Sequence, residues 1–196
     1  MKSFKQHILE KLKVSKSLYA LTPKSKDELK QIIEDEISEN GDGCSLNHID
    51  VSKITDMSEL FDGSSFNGDI SEWNVSNVTN MSGMFRASEF NGDISDWDVS
   101  KVTYMDAMFK KSKFIRDISK WDVSNVTDMA QMFYDSEFNG NISAWDVSSV
   151  TDMFGMFANS KFNGDISKWN VSNVKHMNIM FMNSPLEKNP PAWYKE

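Results

Sequence analysis

Trp73, Trp97, Trp121, Trp145, Trp169 and Trp193 stand 24 residues apart, and they are all six Trp of the 196-residue chain. Met57, Met81, Met105, Met129, Met153 and Met177 keep the same interval, as do Phe61, Phe85, Phe109, Phe133, Phe157 and Phe181. A period held this strictly constrains the fold more than any local propensity, because each unit has to find its packing partners in the copies before and after it. One unit reads FNGDISEWNVSNVTNMSGMFRASE over residues 66–89, and four more begin at Phe90, Phe114, Phe138 and Phe162. A truncated first unit, LNHIDVSKITDMSELF, occupies residues 46–61. The 13 Met and 13 Phe are therefore mostly one set of core positions copied along the chain.

Within a unit the apolar sites are Phe90, Ile94, Trp97, Val99, Val102, Met105, Met108 and Phe109. The Trp97 to Val99 portion alternates with period 2, which predicts a short strand with Asp98 on the opposite face. Met105, Met108 and Phe109 fall at i, i+3 and i+4, which predicts one helical or 3₁₀ turn with Thr103 as its N-cap. Asn-Gly pairs at 67–68, 91–92, 139–140 and 163–164 mark a tight turn back. Stacked at about 4.8 Å, such units would pair their strands in parallel and lay each aromatic on its copies. The expected fold class is an α/β repeat: a right-handed, leucine-rich-repeat-like solenoid of 24-residue coils with a parallel strand ladder, short helical turns and an N-terminal helical cap.

The pattern V-T-x-M-x-x-M-F-x-x-S-x-F-N-G-D-I-S-x-W-x-V-S resembles the BspA-like leucine-rich repeat, in the Met/Phe/Trp-rich form of mycoplasmal lipoproteins and other bacterial surface proteins. The likeness covers residues 46 to about 184, and the preceding stretch from Pro23 to Phe61 resembles the leader of such arrays. It implies a leucine-rich-repeat-like solenoid used for protein binding or adhesion, with no catalytic residues to carry over. Many relatives of that kind carry export or lipoprotein signals, whereas the N-terminus MKSFKQHILEKLKVSKS does not read as one.

The net charge of −8 is unevenly spread: residues 1–40 hold eight Lys against seven acids, so the rest of the chain carries −9. An acidic array argues against nonspecific nucleic-acid binding, and a single Cys44 excludes an internal disulfide framework and a cysteine-based zinc site. No apolar run is long enough for a transmembrane span, so a cytoplasmic or particle-associated protein is expected over a classically secreted one. Three segments follow: a leader and helical cap over 1–45, the repeats over 46–184 and a C-terminal cap over 185–196. Ser25-Lys26-Asp27-Glu28 fits a capping box before Leu29, Ile32, Ile33 and Ile37, so a helix over 25–39 should close the first unit, with Gly41 at its stop. Trp193 arrives in phase and is expected to plug the last unit or to serve as a surface anchor. Phe4, Ile8, Leu9 and Leu12 set against Lys2, Lys5, Lys11 and Lys13 form a basic amphipathic pattern, readable as part of the cap or as peripheral docking by residues 1–20 on a membrane or partner.

Two groups of side chains are candidates for partner contact. Asp96, Asp98, Asp122 and Asp146 belong to acidic ladders that either face a cationic protein surface or Ca²⁺, or close Asx-turns onto the Ser two residues on. The middle unit has FIRD where its siblings have FNGD, and KKSKFIR gathers Lys110, Lys111, Lys113 and Arg116 near Arg86, with Tyr104 and Tyr134 as aromatic neighbours. His7, His48 and His176 share no phase or motif, and no phosphate loop, His-Glu-x-x-His pair or nucleophile elbow occurs. The sequence thus predicts no enzyme, no cofactor and no metal. It predicts a noncatalytic protein-protein interaction module presenting a solenoid surface to a protein partner of unknown identity, with a cell-surface adhesin or a structural or cargo protein of a phage particle as alternatives.

Overall fold

The computed structural model describes residues 21–195, so the basic amphipathic pattern within residues 1–20 lies outside the described residues. The first helix among the described residues is α1, Lys26–Asn40, which starts where its capping residues place it. The Ser25 hydroxyl accepts the Glu28 N–H at 3.2 Å, the Glu28 carboxylate accepts the Lys24 N–H at 2.8 Å, and Gly41 ends the helix at φ 85°. Its inner face buries Leu29 and Ile33 against the first unit. Near its far end Glu36 is held by Asn40 and by His48, whose Nε2 lies 3.6 Å from the carboxylate.

From there the chain is a pile of turn-built layers. The expected α/β leucine-rich-repeat solenoid is corrected: among the described residues there is no strand and no sheet, and besides α1 the only helix is a 3₁₀ turn, Pro185–Glu187. Adjacent layers meet in isolated parallel bridges, Asp56 with Asn80, Asn80 with Tyr104, Tyr104 with Asp128, Asp128 with Asp152, and Asp152 with His176. The physical reason is local. Left-handed residues interrupt each unit at two fixed phases, Ala107 and Lys111 at φ 52° and 59°, and likewise Gln131 with Asp135 and Ile179 with Asn183. Two left-handed residues four apart prevent the helical turn expected over that stretch. The stretch 97–99 is bracketed by turns in which the Trp97 N–H donates to Ile94 and the Val102 N–H to Val99, which leaves no room for a strand. Thr103 caps nothing; its hydroxyl donates to the Thr79 carbonyl one layer back at 3.0 Å. The BspA-like leucine-rich-repeat resemblance implied a strand in every unit, and it is corrected on the same ground. The interaction-module reading, with its solenoid surface, and the adhesin and phage-particle alternatives rested on that architecture and fall with it.

Side-chain columns hold the layers together. Phe85, Phe109, Phe133 and Phe157 stack at 5.7 Å per step, nearly parallel, and Phe90, Phe114, Phe138 and Phe162 at 6.4 Å. Each buried Trp donates its indole N–H to a carbonyl of the preceding layer, as Trp97 does to Ile70 at 3.2 Å and Trp121 to Ile94 at 3.1 Å. Burial of the ring is thus accomplished without leaving its donor unpaired. The Asn-Gly glycines serve close approach: a Cβ on Gly68 would stand 1.9 Å from the Cys44 carbonyl oxygen, and one on Gly92 2.8 Å from the Phe90 ring. At the end of the pile Trp193 stacks on Trp169 at 6.4 Å and donates to Ile166 at 3.0 Å, half-buried beside Tyr194.

Candidate functional site

The bridging residues Asp56, Asn80, Tyr104, Asp128, Asp152 and His176 form a column one residue wide along one flank. Their shared geometry comes from a local turn. Asp56, Asn80, Asp128 and Asp152 each accept, through Oδ1, the N–H of the residue two places on, at 2.8 to 2.9 Å. Oδ1 is committed to the fold, which leaves Oδ2 of each Asp as the oxygen not used by the turn.

At the first layer a cation lies beside that oxygen. Lys26, the first residue of α1, donates from Nζ to the Ser58 hydroxyl at 2.5 Å and lies 3.9 Å from Asp56 Oδ2. Asp128 and Asp152, two and one layers from the far end of the column, have no such counter-ion among the described residues. Asp106, two residues beyond Tyr104, accepts from the Ser82 hydroxyl and adds its charge to theirs. Burial pushes the Asp128 carboxyl above its usual range, opposed by the Ala130 N–H, and the neighbouring Asp106 and Asp152 charges push it further. A carboxyl raised in the folded state costs stability at neutral pH, and that cost is relieved as pH falls through the raised value. Two exposed aromatics flank this stretch, Tyr104 at 49 % and Phe154 at 39 % exposure.

A family model described as "Mycoplasma protein of unknown function, DUF285" matches residues 28–135 and 110–193. The chain belongs to this family. No curated protein and no solved structure matches it.

In this DUF285 chain the acidic ladder singled out from the sequence sits on another part of the layers. Asp98, Asp122 and Asp146 are exposed, and each accepts the N–H of Ser100, Ser124 or Ser148 at 3.0 to 3.1 Å. The Ser100 and Ser124 hydroxyls also donate to their Asp at 2.6 Å. Those bonds hold the Asp98 and Asp146 carboxyls below the usual range. Asp96 is exposed beside Trp97. The same turn closes on Asn74 and Asn170, so the charge is not what the turn requires.

The basic group is not left as one patch. Arg86 pairs with Asp62 at 2.6 Å and Glu59 at 3.0 Å in the layer before, and Lys113 pairs with Glu137 at 3.1 Å in the layer after. Arg116 donates to the Asn91 carbonyl, and Lys110 donates to Gln131 while lying 5.1 Å from the centre of the Tyr134 ring. Lys111 is exposed, on a backbone that turns left-handed there. Tyr104 stands instead in the bridging column, beside the carboxylates. Sequence reasoning did not single out Asp106, Asp128, Asp152 and Phe154. The signal was present in the period: Tyr104 replaces an Asx that its own column otherwise repeats at 56, 80, 128 and 152.

Among the described residues no helix is long and apolar enough to cross a membrane, and no group of three or more His, Cys, Asp or Glu is placed to hold a metal ion. A column with its carboxylates one layer apart spreads charge along a line and does not converge it on a point.

Proposed function

We propose that the Tyr104, Asp106, Asp128, Asp152 and Phe154 flank takes up polycationic ligands, chains of ammonium or guanidinium groups. The observation that carries this reading is Lys26, an intrachain ammonium already seated on the Asp56 and Ser58 positions of the same column. Asp128 and Asp152 repeat the Asp56 turn, with Oδ1 occupied by the N–H two residues on and Oδ2 without a hydrogen-bond or ion-pair partner among the described residues. A row of carboxylates spaced by one layer, about 4.8 Å, offers ammonium or guanidinium groups successive charge-assisted bonds. Tyr104 and Phe154 give the methylene stems of Lys or Arg an apolar rest. The Asp128 carboxyl, raised first by burial and then by the Asp106 and Asp152 charges, supports this role, because a partner cation offsets part of that cost.

The test uses a fluorescein-labelled hexalysine peptide and the full chain, followed by anisotropy at low salt. Changing Asp128 and Asp152 together to Asn keeps both turns, as Asn80 does naturally, and should weaken binding at least tenfold. The Asp128→Asn change alone should raise thermal stability slightly at pH 7. A control pair, Asp98→Asn with Asp146→Asn, removes the same net charge and should leave binding within about twofold, since exposed charges at a distance are screened. Equal loss in the two pairs would mean that only net charge matters and would overturn the proposal.

A further inference from the structure

The last complete layer leaves a row of backbone donors unmet, and this row is independent of the acidic column. In every interior junction, N–H groups at alternate residues reach carbonyls one layer on. Met153 donates to His176 at 2.7 Å, Gly155 to Asn178 at 3.1 Å, Phe157 to Met180 at 3.0 Å and Asn159 to Met182 at 2.7 Å. The layer before repeats this from Met129, Gln131, Phe133 and Asp135. The corresponding donors of the final layer, Met177, Ile179, Phe181 and Asn183, make no such bond among the described residues.

The row is nevertheless already formed. Ile179 and Asn183 hold φ of 53° and 54°, the left-handed values that Gly155 and Asn159 hold at 58° one layer earlier. Preorganised donors cost an incoming chain only its own ordering. Beside them Val174 and Met177 are half-buried, whereas Val150 and Met153, which have a layer above them, are 0 % exposed. Tyr194 closes the space over Phe181, edge-on at 4.9 Å, so the uncovered strip runs from Val174 to Ile179.

We propose that this edge captures an extended peptide segment, added parallel as one more layer. Its carbonyls at alternate residues would accept from Met177 and Ile179, and a Val and a Met three residues apart would cover Val174 and Met177. The occupant follows from continuity with the junctions below it. At each of those junctions the covering stretch has this pattern, Val-x-x-Met-x-x-Met, as in Val126, Met129 and Met132. Segments rich in charge or lacking spaced apolar residues do not fit.

The probe is the synthetic octapeptide Asn-Val-Thr-Asp-Met-Ala-Gln-Met, the sequence of residues 125–132. Residue-resolved amide exchange by NMR on the full chain should show Met177 and Ile179 exchanging at least tenfold more slowly at saturating probe. The Asp128→Asn, Asp152→Asn chain should respond in the same way, which separates this outcome from the fate of the acidic column. Three outcomes overturn the proposal: no slowing, equal slowing by the scrambled octapeptide, or protection in the probe-free chain. Protection that grows with protein concentration would assign the edge to a second copy.

Discussion

The two ends of the pile carry the same residue at the same phase and treat it differently. Met57, in the first layer, is 0 % exposed beneath the end closed by α1, while Met177, in the last, is half-buried. At the first end an amphipathic helix supplies Leu29 and Ile33 to the apolar face and Lys26 to the acidic column. At the other end a 3₁₀ turn, Trp193 and Tyr194 cover the aromatic column and stop short of Val174 and Met177. The difference teaches that a periodic core does not by itself decide how its ends are finished. Equivalent positions acquire their energetic weight from what lies across them.

The largest expected effect breaks or confirms that contrast directly. Met57→Ala should cost about 2 to 5 kcal/mol, as for a fully buried Met, and Met177→Ala about 1 kcal/mol, for a side chain that buries only part of its area. Urea unfolding followed by tryptophan fluorescence measures both, and equal losses would mean that the two ends are equally covered. A smaller effect sharpens the role of α1. Ser25→Ala removes the acceptor of the Glu28 N–H and should cost about 1 kcal/mol, with faster amide exchange in the first turn of α1 and none of that change near Met177.

The smallest effect compares the ends with the middle. Asp98→Asn, Asp122→Asn and Asp146→Asn combined should change stability at pH 7 by less than about 0.5 kcal/mol, because Asn74 and Asn170 close the same turn at the two extremes. Acid behaviour should differ. Carboxyls held low in the folded state stabilise above the ordinary carboxylate range, and that stabilisation is lost as pH falls through their lowered values. Asp98 and Asp146 are of this kind, so the triple Asn chain should lose less stability on acid titration than the parent does.

Much of the internal order was legible residue by residue. Identical spacing of Trp, Met and Phe told which side chains pack, because only burial against a neighbouring copy accounts for six indoles in one phase. The capping residues around Ser25 located α1, since a helix start is written in side chains that bond the local backbone. The Asx-turn reading of Asp98, Asp122 and Asp146 was equally local, a contact across two residues. Strands and helical turns were misread for the opposite reason. Trp97 and Val99 alternate like a strand but are bracketed by turns at Ile94 and Val102, and Met105, Met108 and Phe109 space like a helix, yet the left-handed φ of Ala107 and Lys111 is not encoded by a residue type that announces it. Gly at 83 and 155 hints at one of these phases, but Ala, Gln and Ile occupy it elsewhere.

The flank that carries the proposed function was also hidden, since no spacing rule says that Lys26 reaches Asp56 or that Asp106 feels Asp128. Sequence alone determined which residues recur, which are apolar and where the capping helix begins, because periodicity and capping act over one unit or less. Only the tertiary structure decided that the layers meet in single bridges, that the basic cluster is divided among ion pairs and hydrogen bonds, and that one end is closed while the other keeps a row of unmet donors. Those outcomes depend on the register between layers and on what covers each face, and both are settled by packing between segments far apart in the chain.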